Sequence, residues 1–99
     1  MYNVHMNGLG FDWDEKKNRA NKKKHDLDFD EAKSVFWDEN AARFPDPDHS
    51  TDEDRFLMVG MSFKLRVLVV CHCFRESNDV IRIISARKAN KKEQSSYWS

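Results

Sequence analysis

The 99-residue sequence has only two cysteines, no net charge and no long apolar run. Cys71 and Cys73 lie two positions apart in an apolar segment, where a strand would place both on one face in a geometry unsuited to a disulfide. A reducing compartment is therefore expected. No apolar stretch approaches the roughly 20 residues that a membrane helix needs, and residues 1–10 lack the pattern of a signal peptide. We expect a cytoplasmic protein that does not contact a membrane.

The composition predicts one small folded domain with a highly charged surface. Hydrophobic residues make up 39% of the chain and charged residues 34%. Seven Phe and three Trp argue against disorder, because aromatic burial on that scale can offset chain entropy. We expect residues 1–10 to form a loose extension, and residues 11–99 to form a single domain.

The charges are unevenly distributed, although 17 basic residues balance 17 acidic ones. Residues 16–24 contain six Lys or Arg and no acid, residues 26–54 are rich in Asp and Glu, and residues 64–92 are again basic. The molecule could therefore bind a polyanion locally while remaining neutral as a whole.

Helix signals occur early in the chain and at its end. Asp14 is a suitable N-cap for a helix that continues to about Lys24, and Asp28 with Glu31 predicts a second helix ending near Trp37. The strand signals are 11–13, 41–44, 55–61, 65–73 and 80–86, followed by a closing helix over 88–97. Short links between the later strands favour an antiparallel meander. The pattern predicts an α+β fold in which two N-terminal helices pack on a twisted, mainly antiparallel sheet with a C-terminal helix.

Arg82 is the most informative residue, because its charge interrupts the apolar run of residues 80–86. Strand alternation places Arg82 on one side and Ser85 and Arg87 on the other. Three environments could accommodate the charge of Arg82: a carboxylate of the protein, the phosphate of a ligand, or solvent reached at a sheet edge. A guanidinium is well suited to phosphate.

The remaining titratable residues give weaker signals. Alternation places His72 opposite the two cysteines, so these residues cannot form a zinc site, and His72 is either a structural hydrogen-bonding residue or a proton donor. The acidic loop over 46–54 fails as a calcium loop, since Thr51 stands where Gly is needed and Leu57 where an acid is needed. A solvated loop is expected, with a transient divalent metal site as the lesser alternative. Glu53 and Arg55 can pair with each other or flank a cleft.

The first helix has almost nothing to bury, because Ala20 is the only apolar residue between Asp14 and Asp26. Lysines at the end of a helix are ordinarily solvated and favourable there. So many on one short helix favour a ligand as well, either RNA phosphates or an acidic protein surface.

Several blocks of the sequence together resemble the BrnT family of toxins, from about Phe11 to Glu93. They are FDWDEKKNRANKKKH at 11–25, FDEA at 29–32, DPDHSTDEDRF at 46–56 and VIRIISARKA at 80–89. The resemblance implies a RelE-like fold, ribonuclease activity that arrests translation, and neutralisation by a BrnA-type antitoxin with a DNA-binding domain. The N-terminal extension is unmatched, and Phe63 stands where the family's hairpin has small or polar residues.

The hypothesis is therefore a toxin that cleaves RNA without a metal or other cofactor, by activating the RNA 2′-hydroxyl. The candidate catalytic residues are Lys24, His25, Glu53, Arg55, His72, Arg82 and Arg87, and the candidate RNA-binding residues are Lys17, Lys22, Lys23, Ser85 and Lys88. Arginines would hold the phosphate, Lys24, His25 or Glu53 would act as base, and His72 as acid. We expect the arginines of the last strand to share a pocket with the lysine-rich helix.

The rival hypothesis is a non-catalytic module that blocks translation by occupying RNA or the ribosome. A structural adaptor has no motif in its favour. As partners we expect RNA, on or off the ribosome, and an antitoxin in a hetero-oligomer that masks basic and apolar surface. Phe63, Trp37 and Trp98 are candidate exposed aromatics, with core burial favoured for Trp37.

Overall fold

The computed structural model describes residues 2–4, 10–48, 54–75 and 79–99, which form a six-stranded mixed sheet and three α-helices. Across the sheet the strands follow the order β1-β2-β6-β5-β4-β3. Strands β2 and β6 are parallel, and the other neighbours are antiparallel. The elements are β1 (Tyr2–Val4), β2 (Gly10–Trp13), α1 (Glu15–His25), α2 (Phe29–Ser34), β3 (Ala42–Pro45), β4 (Phe56–Met61), β5 (Val67–Arg75), β6 (Val80–Lys88) and α3 (Lys91–Trp98). The predicted α+β class and the β4-β5-β6 meander are confirmed.

The start of the chain differs from the loose extension that the sequence predicts. Tyr2–Val4 pairs with β2, with Asn3 opposite Phe11, and Gly10 already belongs to β2. A strand of three residues is too short to show a pattern of alternating apolar and polar residues, so β1 is recognised only from its pairing with β2. None of the described helices is long and apolar enough to span a membrane.

The main core lies between the sheet and α2. Its buried residues are Phe11, Leu27, Phe29, Ala32, Val35, Leu68, Val70, Ile81, Ile83 and Ala86. Asp28 caps α2 by accepting from the backbone N–H of Glu31 at 2.9 Å, as predicted. Residues 35–37 then continue as a 3-10 turn. The predicted burial of Trp37 is wrong: its ring stacks on Phe11 at 5.6 Å, but the residue remains 39% exposed.

One buried amide fixes α1, which lacks an apolar face. Asp14 caps the helix by accepting from the N–H of Lys16 at 2.8 Å, as predicted. The Asn21 amide donates to the carbonyls of Leu27 and Ala86 at 2.8 and 2.9 Å, and accepts from the N–H of Ala86 at 3.0 Å. Because β2 ends opposite Ile83, Asn21 takes the place of the missing strand partner at Ala86.

The opposite face of the sheet carries a smaller core beneath α3. Val67, Val69 and Ala89 are buried there, with Leu57, Val59, Met61 and Tyr97 packed around them. Asn90 and Glu93 form a capping box at the start of α3, and the Tyr97 hydroxyl donates to Asp38. We call the two faces of the sheet the helix-pair face, towards α1 and α2, and the α3 face.

Candidate functional site

A β-bulge in β6 decides which of its polar side chains lie together. Cys71 pairs with Ser85 but His72 pairs with Ile83, so Ile84 is an additional residue and the alternation shifts there. Before the bulge Ile81 and Ile83 enter the main core, whereas after it Ala86 does. The α3 face therefore receives Arg82, Ser85 and Arg87. The prediction that Arg82 and Arg87 lie on opposite sides is wrong, because it assumed unbroken alternation.

Arg82 is half-buried and is tethered by one of its three nitrogens. Its Nη1 donates to Asp12 Oδ1 at 3.0 Å, and the two side chains are 30% and 25% exposed. No described residue accepts from its Nε or Nη2. A guanidinium held on one side and open on the other is positioned to bind an anion.

The start of α1 lies close to Arg82. The backbone N–H of Lys16 lowers the pKa of Asp14 below its ordinary value, and the positive charges of Lys17 and Arg82 lower it further. Lys17 and Arg82 therefore belong to one electrostatic neighbourhood, that of the Asp14 carboxylate at the N-cap of α1. The other predicted lysines of α1 are not part of this neighbourhood.

Those lysines occupy the C-terminal end of α1, where they are exposed. Lys22 pairs with Asp26 at 3.4 Å, and His25 ends the helix half-buried. The hydrogen bond and charge of Lys22 lower the pKa of Asp26, and Lys88 contributes to the same shift. The structure thus divides the basic residues into a group at Lys17 and Arg82 and a second group at Lys22–His25 and Lys88, rather than placing all of them in one pocket.

Arg87 is bound to α3. Its Nη1 and Nη2 donate to the two carboxylate oxygens of Glu93 at 2.8 and 2.9 Å. The same contact lowers the pKa of Glu93 and raises that of Arg87. The predicted phosphate contact from Arg87 conflicts with this arrangement, in which a protein carboxylate already takes both terminal nitrogens.

The charge of Arg55 reaches Cys71 on the α3 face. Burial raises the pKa of Cys71 to about 11, with Asp46 acting in the same direction and the charge of Arg55 opposing it. Arg55 is thus near Cys71, which pairs with Ser85 across the two strands. Glu53, one of the three predicted alternatives for the base, lies outside the described residues.

The proposed role of His72 as a proton donor to substrate is wrong. The residue is fully buried against the ring of Phe36, at 4.9 Å, and those of Phe56 and Phe74. Its Nδ1 lies 3.1 Å from the carbonyl of Val70, while Nε2 has no hydrogen-bond partner among the described residues. Burial lowers its pKa to about 4, so the ring is neutral at physiological pH. Alternation correctly separates His72 from the cysteines, but its side of the strand is the core side.

The sequence did not reveal Asp12 as the partner of Arg82 or Asn21 as the anchor of α1. Asp12 stands beside Trp13 in a short strand, and only the parallel pairing of β2 with β6 places it opposite Arg82. In the described ranges, no group of three or more His, Cys, Asp or Glu side chains could hold a metal ion.

Comparison with known proteins identifies the family. The family model for the ribonuclease toxin BrnT of type II toxin–antitoxin systems matches residues 13–93. Among solved structures, the chain is similar to the ribonuclease toxin BrnT of Brucella abortus, with 28% identity and a TM-score of 0.60 over 80% of this chain and 94% of that one. No match was found among curated protein sequences. The model match covers most of the chain, and the protein therefore belongs to the BrnT family of ribonuclease toxins of type II toxin–antitoxin systems.

Proposed function

We propose that this toxin is a metal-independent endoribonuclease with a RelE-like fold that arrests translation in the cytoplasm. The observation that carries the proposal is Arg82 on the α3 face, an oriented guanidinium with two nitrogens that no described residue engages. Its charge acts together with that of Lys17 on Asp14, Ser85 lies on the same face, and the charge of Arg55 acts on Cys71 there. RNA supplies its own nucleophile. The site therefore needs only to bind the phosphate, remove one proton and stabilise the leaving oxygen.

In the proposed reaction the RNA 2′-oxygen attacks the adjacent phosphorus and the bond to the 5′-oxygen breaks. The products are a 2′,3′-cyclic phosphate and a free 5′-hydroxyl. Arg82 binds the phosphate oxygens as negative charge accumulates, with Arg55 and Ser85 as further contacts. The base takes the proton of the 2′-hydroxyl. Lys17 stabilises the departing 5′-oxygen, which takes up a proton from solvent water.

For the proton acceptor we retain Glu53, which precedes Arg55 by two residues, in preference to Lys24 or His25. Both lie at the C-terminal end of α1, two helical turns or roughly 10 Å beyond Lys17 along the helix axis, and we place them with Lys22, Lys23 and Lys88 as residues that bind the flanking RNA. Arg87 acts by positioning α3 through Glu93. Neutralisation is assigned to a BrnA-like antitoxin with a DNA-binding domain, in a hetero-oligomeric complex.

Replacing Arg82 by Ala tests the site. Loss of one well-placed donor should cost about 3 kcal/mol in the transition state, a fall of roughly 100-fold in cleavage rate. Cleavage of labelled RNA is measured in EDTA, with mapping of 2′,3′-cyclic phosphate ends. Arg19→Ala, which removes an exposed cation from α1, is the matched control and should cleave normally.

Arg82→Ala leaves Asp12 without its partner, so a thermal melt must show that the variant is folded. Asp12→Asn provides a second test, because it retains the guanidinium but loosens its tether, and a smaller loss is expected. A folded Arg82→Ala protein with full activity would contradict the proposed site. Tight RNA binding by the unmodified protein, with no cleavage, would instead support a non-catalytic module.

A further inference from the structure

Large apolar side chains are exposed around the turn that joins β4 to β5. Phe63 and Leu65 in this turn are 65% and 79% exposed, and Trp98 at the end of α3 is 66% exposed. Phe63 and Trp98 line a shallow groove of about 590 Å³ together with Trp37. Clustered exposure of this kind marks interaction sites, whereas single exposed apolar residues are ordinary. We call Trp37, Phe63, Leu65 and Trp98 the turn surface.

The backbone of Leu65 is strained in the position that it occupies. Its φ is 62°, in the left-handed region that favours Gly or Asn, and its exposed side chain gains little from burial. The Leu65 N–H donates to the carbonyl of Ser62 at 2.9 Å, which fixes this conformation. A glycine would suit the isolated protein better, so the stability of the turn does not explain the exposed leucine.

The turn is held rigidly against α2. Glu31 is 1% exposed, and its carboxylate accepts from Ser62 Oγ at 2.7 Å and from Arg66 Nε at 2.9 Å. The N–H of Phe63 donates to Ser34 Oγ at 3.0 Å. A preformed surface loses little entropy when a partner binds, which favours affinity.

The charge of the groove indicates the class of partner. Asp38 is the one charged residue among the described residues that line it, and Glu39 follows in the chain. Lys64, in the turn itself, lies 4.0 Å from the Glu31 carboxylate. A carboxylate in the groove repels the phosphates of RNA but complements a basic side chain of a protein.

We propose that the turn surface is a docking site for the antitoxin, through a segment with large apolar side chains and a basic residue directed towards Asp38. The proposal rests on the family assignment and not on the catalytic roles given above. Within the turn surface, Phe63 and Leu65 lie beside Val67 at the start of β5, whereas Arg82 pairs with Cys73, six residues further along. That separation is roughly 20 Å at the rise of a strand. Antitoxin docking and RNA cleavage can therefore be measured independently.

Leu65→Gly and Phe63→Ser test the proposal with purified antitoxin of the same toxin–antitoxin pair. Leu65→Gly removes both the apolar contact and the backbone strain, so antitoxin affinity should fall about tenfold or more while thermal stability stays equal or rises. Phe63→Ser should weaken binding to a similar extent. RNA cleavage by both free toxins should match the unmodified protein. Phe44→Ser, at a 48% exposed aromatic of β3, is the control and should retain normal affinity.

Unchanged antitoxin affinity in folded Leu65→Gly and Phe63→Ser proteins would overturn the proposal. Loss of RNA affinity with antitoxin binding intact would identify the turn surface as an RNA contact instead. Loss of a toxin dimer, seen by light scattering at matched concentration with antitoxin binding intact, would identify it as a self-association surface. Because cleavage is measured separately, failure of the catalytic proposal would leave this result interpretable.

Discussion

One ring nitrogen of His72, inside the main core, has no hydrogen-bond partner in the part of the chain that the structure describes. Its Nδ1 is 3.1 Å from the Val70 carbonyl, which favours a donor at Nδ1 and leaves Nε2 as an unsatisfied acceptor. A buried polar atom of this kind costs free energy, and a second proton on the ring would cost more. The residue therefore makes folding sensitive to acid.

We predict that acid sensitivity falls when His72 is replaced by Leu. The pKa of His72 is about 4 in the folded protein and about 6.5 in the unfolded chain. Between these two pH values only the unfolded chain binds the proton, so the free energy of unfolding decreases as the pH is lowered. From pH 7.5 to pH 5 the loss should be about 2 kcal/mol. Urea unfolding at the two pH values should show this loss in the unmodified protein and little of it in His72→Leu.

His25→Gln is the matched control, because His25 is half-buried at the end of α1 rather than in the core. It should retain the acid sensitivity of the unmodified protein. Equal losses in His72→Leu and the unmodified protein would show that another group titrates.

Among the structural elements, caps were predictable from sequence, and long-range partners were not. Asp14 and Asp28 each bind a backbone N–H two or three residues ahead, so local sequence contains the whole interaction. Glu31 also belonged to a predicted local capping pair. Its side chain instead binds Arg66 and Ser62, more than 30 residues away, because the turn after β4 folds back over α2.

The bulge in β6 sets a similar limit on prediction of the candidate site. Alternation correctly separates Arg82 from the core residues Ile81 and Ile83, but Ile84 introduces a shift that moves Ser85 and Arg87 to the side of Arg82. Two adjacent isoleucines fit either register, so no local residue reveals the shift. The bulge occurs just beyond Ile83, where the pairing with β2 ends. From there the side chain of Asn21 makes the hydrogen bonds to the backbone of β6, at Ala86.

Asn21→Ala should therefore detach α1 from the sheet edge. It removes three buried hydrogen bonds and leaves backbone groups of Ala86 without partners, at a cost of about 2–3 kcal/mol in unfolding free energy. Asn21→Asp retains only the acceptor and should be at least as damaging, since a carboxylate would face two carbonyls. Denaturant unfolding measures both, with Arg19→Ala as an exposed control on the same helix. Near-normal stability of Asn21→Ala would mean that α1 is held by other contacts.

At the scale of the whole molecule, zero net charge leaves RNA binding to local basic surfaces. One such surface is the exposed end of α1, and the other is the region of Lys17 and Arg82. Because the two surfaces are separated along α1, we expect the first to bind the RNA that flanks the cleaved bond and the second to bind the phosphate that is cleaved. The two functions should respond differently to salt.

Replacing Lys22, Lys23 and Lys24 together by Gln should weaken RNA binding without slowing cleavage at saturating RNA. Each lost phosphate contact reduces the slope of log affinity against log salt by about 0.7 for a single strand, so the triple variant should lose about 2 in slope. Lys91 and Lys92 replaced by Gln, on the exposed start of α3, form the control and should leave the slope almost unchanged. Arg82→Ala should instead slow cleavage at saturating RNA, and it should change the slope of log affinity against log salt by less than one. If the triple variant cleaves slowly even at saturation, Lys24 belongs to the chemistry, and the division between the two basic surfaces is wrong.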